Sequence, residues 1–421
     1  MHQQTTYPFD YLINESYSLL ARLGQVKPFS MTMPMVRAAS VSDKALKEIT
    51  ALLEKGKAEL RQNVHRFIRT TRIAKHASSR TAIDMDAFQS GFTVLKLRFN
   101  NILGDLDIFA AVLSQRSEYD VGIWTSALDV LAKDGLSVVD ELATTPQLIV
   151  FLDRGHGAAI RRARTRLPGG ELNPVGVIQI PRERMIGSGI ASSLIHEVGH
   201  QAAALLNLVP TLKLRLKAKR KSTPNPIAWQ CFERWISEIV ADLWSMGHLG
   251  TTATLGLMGV VTLPDYFQFR LDLRDPHPAP FVRVLLSCAF GRRLFPHPQW
   301  DRLETLWRTF YPGNGLSKRV VQTLEAIEQE IPAFVELVIN HSTKATKGQK
   351  LLTLLPVRER QPARLQELYH AWRQKQQSLY DLPPSLVFAI MGQAKSDLRI
   401  TAADENDILT RVMRYWAFSR S

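Results

Sequence analysis

Apolar positions change their spacing three times along the chain. Between residues 45 and 71, Leu46, Ile49, Leu52, Leu53, Leu60, Val64 and Ile68 recur every three or four residues behind Ser42-Asp43. That pattern predicts a long amphipathic helix with a ready N-cap. Phe88, Phe92, Leu95, Phe99, Leu103, Leu106 and Phe109 predict a second helix over 86–115, and a third is expected from Trp124. Near Pro146 the character shifts. Residues 147–152 and 175–180 are short, β-branched and apolar, the signature of two strands, with a Gly/Arg-rich loop over 154–170 between them. The second run stops at Pro181, which suits a sheet edge, so Val177, Ile178, Gln179 and Ile180 are expected to form an edge strand able to align an extended peptide. Helical spacing returns over 190–206, where Leu194, Val198, Ala202 and Leu205 share a face, and again over 227–246 behind Asn225-Pro226. Past Gly291, helices are expected over 302–309, 318–331, 332–340, 362–377 and 402–418, broken at Pro312-Gly313 and Pro383-Pro384. The expected class is α+β, mainly α, with a core over 141–290 between helical regions at 1–140 and 291–421.

Composition narrows this only a little. With 45% hydrophobic and 22% charged residues the chain is an ordinary globular one. Its most apolar window, 249–263, is short and bounded by Pro264, which favours a buried helix over an integral membrane segment. Lys and Arg number 53 against 39 Asp and Glu, a formal charge of +14 that favours an acidic partner. Lys213, Arg215, Lys217, Lys219, Arg220 and Lys221 concentrate that charge where leucine and lysine alternate, so a solvated loop, a half-buried strand or a hairpin is expected there. The run lacks the aromatics that base stacking uses. Cys231 and Cys288 are too few for a disulfide framework, and the start has no basic segment followed by an apolar run. A soluble, cytoplasmic protein is the expectation.

The chemistry begins at His196-Glu197-Val-Gly-His200, which reads H-E-x-x-H within a predicted helix. Residues four apart on a helix are about 40° apart around its axis, so both imidazoles reach one ion and Glu197 flanks it. Imidazole nitrogens suit Zn²⁺, which lowers the pKa of a water to about 7 for a nearby carboxylate to deprotonate. A third ligand is needed. The extension H-E-x-x-H-x-x-G-x-x-H fails, because positions 203 and 206 hold Ala203 and Leu206. Glu238, on the next long helix, is the alternative, with Asp242 four residues on placed to hydrogen-bond the far nitrogen of a ligating histidine. Glu233 is the second choice.

H-E-x-x-H followed by E-x-x-A-D at Glu238, Ala241 and Asp242 resembles the gluzincin metallopeptidases. His277-Pro278, with Arg283-Val284 after four more residues, is similar to the H-P-x-x-x-x-R-[IV] segment of HtpX-like and CAAX-prenyl-protease-type peptidases. The resemblance spans roughly 175–285. It implies a zincin-like core, zinc held by His196, His200 and Glu238, Glu197 as catalytic base, and Asp242 as the group orienting a ligand. A negatively charged tetrahedral intermediate calls for a donor opposite the metal, for which His277, Arg283 and Tyr266 are candidates in that order. The expected activity is endopeptidase hydrolysis of a peptide or protein substrate with one catalytic Zn²⁺. Two other classes stay open: a non-catalytic zincin-like binding protein, and a basic helical scaffold for nucleic acid or acidic membrane.

Overall fold

In the computed structural model the described residues are 6–76, 84–155, 157–184 and 187–419. They form a mainly helical protein with one small sheet, in two compact units, 1–122 with 163–175 and 123–162 with 176–421.

The first unit is built on α1 (Tyr7–Gln25), α2 (Asp43–Lys75) and α3 (Met85–Ser114). The Ser42 hydroxyl accepts from the Ala45 N–H at 3.2 Å and the Asp84 carboxylate from the Ala87 N–H at 3.1 Å, so α2 and α3 both start on side-chain caps. Leu19 and Leu23 of α1, Leu60, Val64 and Ile68 of α2, and Leu95 and Phe99 of α3 close the core between them. Those of α2 and α3 belong to the stripes that the spacing predicts, and α1 adds one that the sequence reading did not single out.

The second unit takes in most of α4 (Tyr119–Leu136), then β1 (Leu148–Asp153), β2 (Ala159–Arg161) and β3 (Gly176–Pro181). Asp129 of α4 accepts from the Val150 N–H at 2.8 Å, which fixes β1 against that helix. The strand order is β1-β3-β2, with β1 parallel to β3 and β2 antiparallel to it. This corrects the expected edge. Val177, Ile178 and Ile180 are buried in the central strand, with Gln179 partly covered, and β2 is the strand at the site-facing edge. Pro181 removes a donor only at the last residue of β3, so pairing along the rest of the strand is unaffected.

Ten helices of more than two turns follow among the described residues: α5 (Gly189–Leu205), α6 (Leu208–Arg220), α7 (Pro226–Leu249), α8 (Thr251–Val261), α9 (Pro280–Leu294), α10 (Gln299–Phe310), α11 (Lys318–Ile339), α12 (Pro362–Arg373), α13 (Pro384–Ser396) and α14 (Ala402–Ser419). Trp229, Trp235 and Trp244 are fully buried along α7. The Lys/Leu run is neither loop nor strand but α6. Leu208, Leu212 and Leu216 are buried at four-residue spacing, while Lys217 and Arg220 reach Glu233 and Lys219 lies over Trp229. Alternation over six residues mimicked a strand, but the side chains that pack are every fourth. Residues 318–339 are one helix rather than two, with Pro332 inside it. Cys231 and Cys288 are free and buried. Among the described residues no helix is long and apolar enough to cross a membrane.

Candidate metal centre

The site forms where α5 and α7 pack at close range. A Cβ placed on Gly199 would lie 2.8 Å from Trp244 Cβ and 2.9 Å from Ala241 Cα, so glycine at this point of HEVGH lets the two backbones approach. The approach brings His196 Nε2 to 3.3 Å from Glu238 Oε2 and His200 Nε2 to 3.5 Å from Glu238 Oε1. The three ligand atoms all lie within 4.8 Å of one another, a group that can hold a metal ion.

The outer ring nitrogens are engaged as well. His196 Nδ1 lies 2.8 Å from Asp242 Oδ1 and His200 Nδ1 faces Ser237 Oγ at 3.5 Å. A proton on His196 Nδ1 donated to Asp242 leaves the Nε2 lone pair turned inward, the tautomer a metal requires. Asp242 is gripped in turn by Arg283 of α9, whose Nε and Nη2 donate at 2.7 and 2.8 Å. Two guanidinium nitrogens are thereby committed to Asp242, so Arg283 positions that carboxylate, a contact the sequence reading did not foresee. Glu233 pairs with Lys217 and Arg220 and takes no part in the cluster.

Charges follow from these contacts. Burial works against a charge on His196, but the hydrogen bond and charge of Asp242, with Glu238, outweigh it and raise its pKa to about 9 in the metal-free protein. Burial would raise Glu238, and the two histidines hold it well below the usual carboxylate range instead. Asp242, also opposed by burial, is held down to about 2 by the Arg283 charge and by His196. Glu197 differs: burial raises its pKa, and the charges of His196 and His200 only partly offset this.

A cavity of about 510 Å³ opens on the cluster and includes Glu197, His277 and Arg283 in its wall. His277 Nε2 lies 3.5 Å from Glu238 Oε2, while its Nδ1 is 2.9 Å from Asp275 Oδ1, which also accepts the His277 backbone N–H at 2.9 Å. Sequence reasoning missed Asp275, although Asp-Pro-His is a short turn that places a carboxylate beside an imidazole. Tyr266, the third donor candidate, stands on a single helical turn, is 78% exposed, and is not in the cavity wall.

The start of α5 is held from far along the chain. Ser188 occupies the N-cap but its hydroxyl makes no capping bond. Its backbone N–H donates instead to Glu405 Oε1 of α14 at 3.2 Å, and Glu405, fully buried, also pairs with Lys395 at 2.8 Å. No family model, curated protein or solved structure matches this chain.

Proposed function

We propose that the chain is a zinc-dependent metallopeptidase with a zincin-like core of the gluzincin type, hydrolysing peptide bonds in a peptide or protein substrate. One observation carries this reading: His196 Nε2, His200 Nε2 and the Glu238 carboxylate converge while Asp242 and Ser237 engage the outer ring nitrogens. Two imidazoles and one carboxylate suit Zn²⁺ and leave a tetrahedral ion one position short, as in catalytic and not structural sites. When bound there, the ion supplies Lewis acidity toward a carbonyl and a water. Glu197 takes the proton of the attacking water and passes it to the leaving amine. His277, steadied by Asp275, donates to the carbonyl oxygen as it gains negative charge. Arg283 keeps Asp242, and through it His196, in register. The extended substrate lies along β2, the edge strand, in place of the buried β3.

The test is metal content and peptide turnover in protein prepared without a metal-binding tag. About one zinc per chain is expected in the wild type and in Glu197→Gln, and less in Glu238→Ala. Cleavage of a mixed peptide pool, read by mass spectrometry, is expected from the wild type alone. An active Glu197→Gln variant sinks the mechanism. Bound zinc without turnover returns the non-catalytic binding protein, and a wild type that takes up no zinc returns the basic scaffold.

A further inference from the structure

Helix α6 carries five cations, and Lys221 at its C-cap adds a sixth, with no acid among them. Its row of Leu208, Leu212 and Leu216 is buried, so Lys213, Lys217 and Lys221, also four apart, stand roughly opposite on the outward side. That row runs about 12 Å along the axis. Beside it is Leu214, three residues before Lys217, and it is 68% exposed. The carboxylates that reach α6 do not balance its charge. Lys217 and Arg220 share Glu233, at 3.7 and 3.4 Å, and Lys219 acts on Glu330, which accepts from Thr223 and Asn225. Among the described residues Lys213, Arg215 and Lys221 have no ion pair. A loop adds to the same charge. His341 Nε2 lies 2.8 Å from the Thr211 hydroxyl and the Thr343 hydroxyl donates to the Leu206 carbonyl at 2.8 Å, so residues 341–350 lie against the start of α6. They bring Lys344, Lys347 and Lys350, all exposed. Lys347 and Lys350 donate to the Glu141 carbonyl and the Asn340 side-chain oxygen, neutral acceptors that leave both charges uncancelled.

We propose that this face docks on a membrane surface bearing acidic phospholipid, with the lysine row against the headgroups and Leu214 among the upper acyl carbons. The inference goes beyond the metallopeptidase reading and does not rest on it. Two features favour lipid over nucleic acid. Contacts to a phosphate backbone give an exposed leucine nothing to do, whereas at a bilayer interface a buried apolar side chain adds to the attraction of the basic residues around it. Helix α6 also has no aromatic side chain on which bases could stack. Because no described helix is long and apolar enough to cross a bilayer, attachment through α6 is peripheral and reversible. Each lysine close to such a surface contributes about fivefold in affinity.

The experiment is co-sedimentation of the full chain with phosphatidylcholine vesicles, with and without phosphatidylserine, at an ionic strength of about 0.15 M, where the screening length is about 8 Å. Binding to the acidic vesicles alone is expected. Lys213→Gln, Lys217→Gln and Lys221→Gln combined should weaken it about a hundredfold, and Leu214→Gln alone about tenfold. The same three lysines changed to arginine should bind as the wild type does, which separates lost charge from a damaged helix. Lys44→Gln, Lys47→Gln and Lys318→Gln combined, at exposed positions of α2 and α11, remove the same net charge and should leave binding unchanged. No binding to acidic vesicles overturns the proposal. So does equal weakening by the two glutamine sets, which assigns the attraction to net charge alone, or full binding by Leu214→Gln. Retention of a labelled DNA duplex without binding of vesicles overturns it as well and reassigns the face to nucleic acid. Zinc-free and zinc-loaded protein should bind the vesicles alike, so the peptidase reading and this one stand or fall separately.

Discussion

A proton and a metal compete for the same nitrogen of His196. In the metal-free protein its pKa is about 9, so at pH 7 the ring is charged and an incoming ion must displace one proton. Apparent metal affinity should therefore rise about tenfold per pH unit between 7 and 9, then level off. Calorimetry in buffers of different ionisation enthalpy checks this, because the heat of binding then varies with the buffer; a buffer-independent heat would refute it. The same shift has a stability sign. A histidine pKa raised above its ordinary value stabilises the metal-free fold fully below about 6.5, and that contribution is lost as pH rises through 9. Asp242→Asn tests the cause. It keeps an oxygen beside His196 Nδ1 but removes the charge that holds the ring protonated and gives up the ionic clasp of Arg283. Metal affinity should fall about 10- to 100-fold, and fewer protons should be released per ion bound.

The two helices meet through what is missing from one of them, and Gly199→Ala is the direct test. The new methyl would face backbone at Ala241 and the stem of Trp244, neither of which swings aside. Unfolding stability should drop by about 1–3 kcal/mol in urea, and zinc affinity should fall as Glu238 is pushed from the histidines. Gly259→Ala on α8, where a Cβ meets nothing within 4 Å, is the control and should stabilise by about 0.4–1 kcal/mol. What was legible in the sequence divides along the same line. HEVGH, Glu238 and Asp242 could be read because each is a helical periodicity, a property of a few adjacent residues. Strand order could not, since it depends on which segments pair across the chain, and β2 is too short at three residues to show an alternation. The cap on α5 was beyond reach for a similar reason: Glu405 lies 217 residues from Ser188, and nothing local to either announces the other. Arg283 was found as a residue but its clasp on Asp242 was not, because only the fold puts Asp242 within reach of its guanidinium.

Every ligand and its support comes from one of the two units. His196, His200, Glu238, Asp242, Arg283 and His277 all fall within 176–421, and none comes from α1, α2 or α3. Metal that binds only the folded form stabilises it by mass action, about 2.7 kcal/mol at a free concentration a hundred times the dissociation constant. That stabilisation belongs to whatever unfolds when the ion leaves. Native-state hydrogen exchange resolves which part this is, since amides exposed only by opening of the metal-holding unit must wait for the bound state to release it. The slowest amides of α5 and α7 should exchange about a hundredfold more slowly with zinc at that concentration, while those of α2 and α3 should keep their metal-free rates. Slowing of equal size in all four helices would mean that the units open together as one cooperative body. Unchanged rates in α5 and α7 would mean that zinc binds elsewhere, and would remove the histidine cluster from its place at the centre of the site.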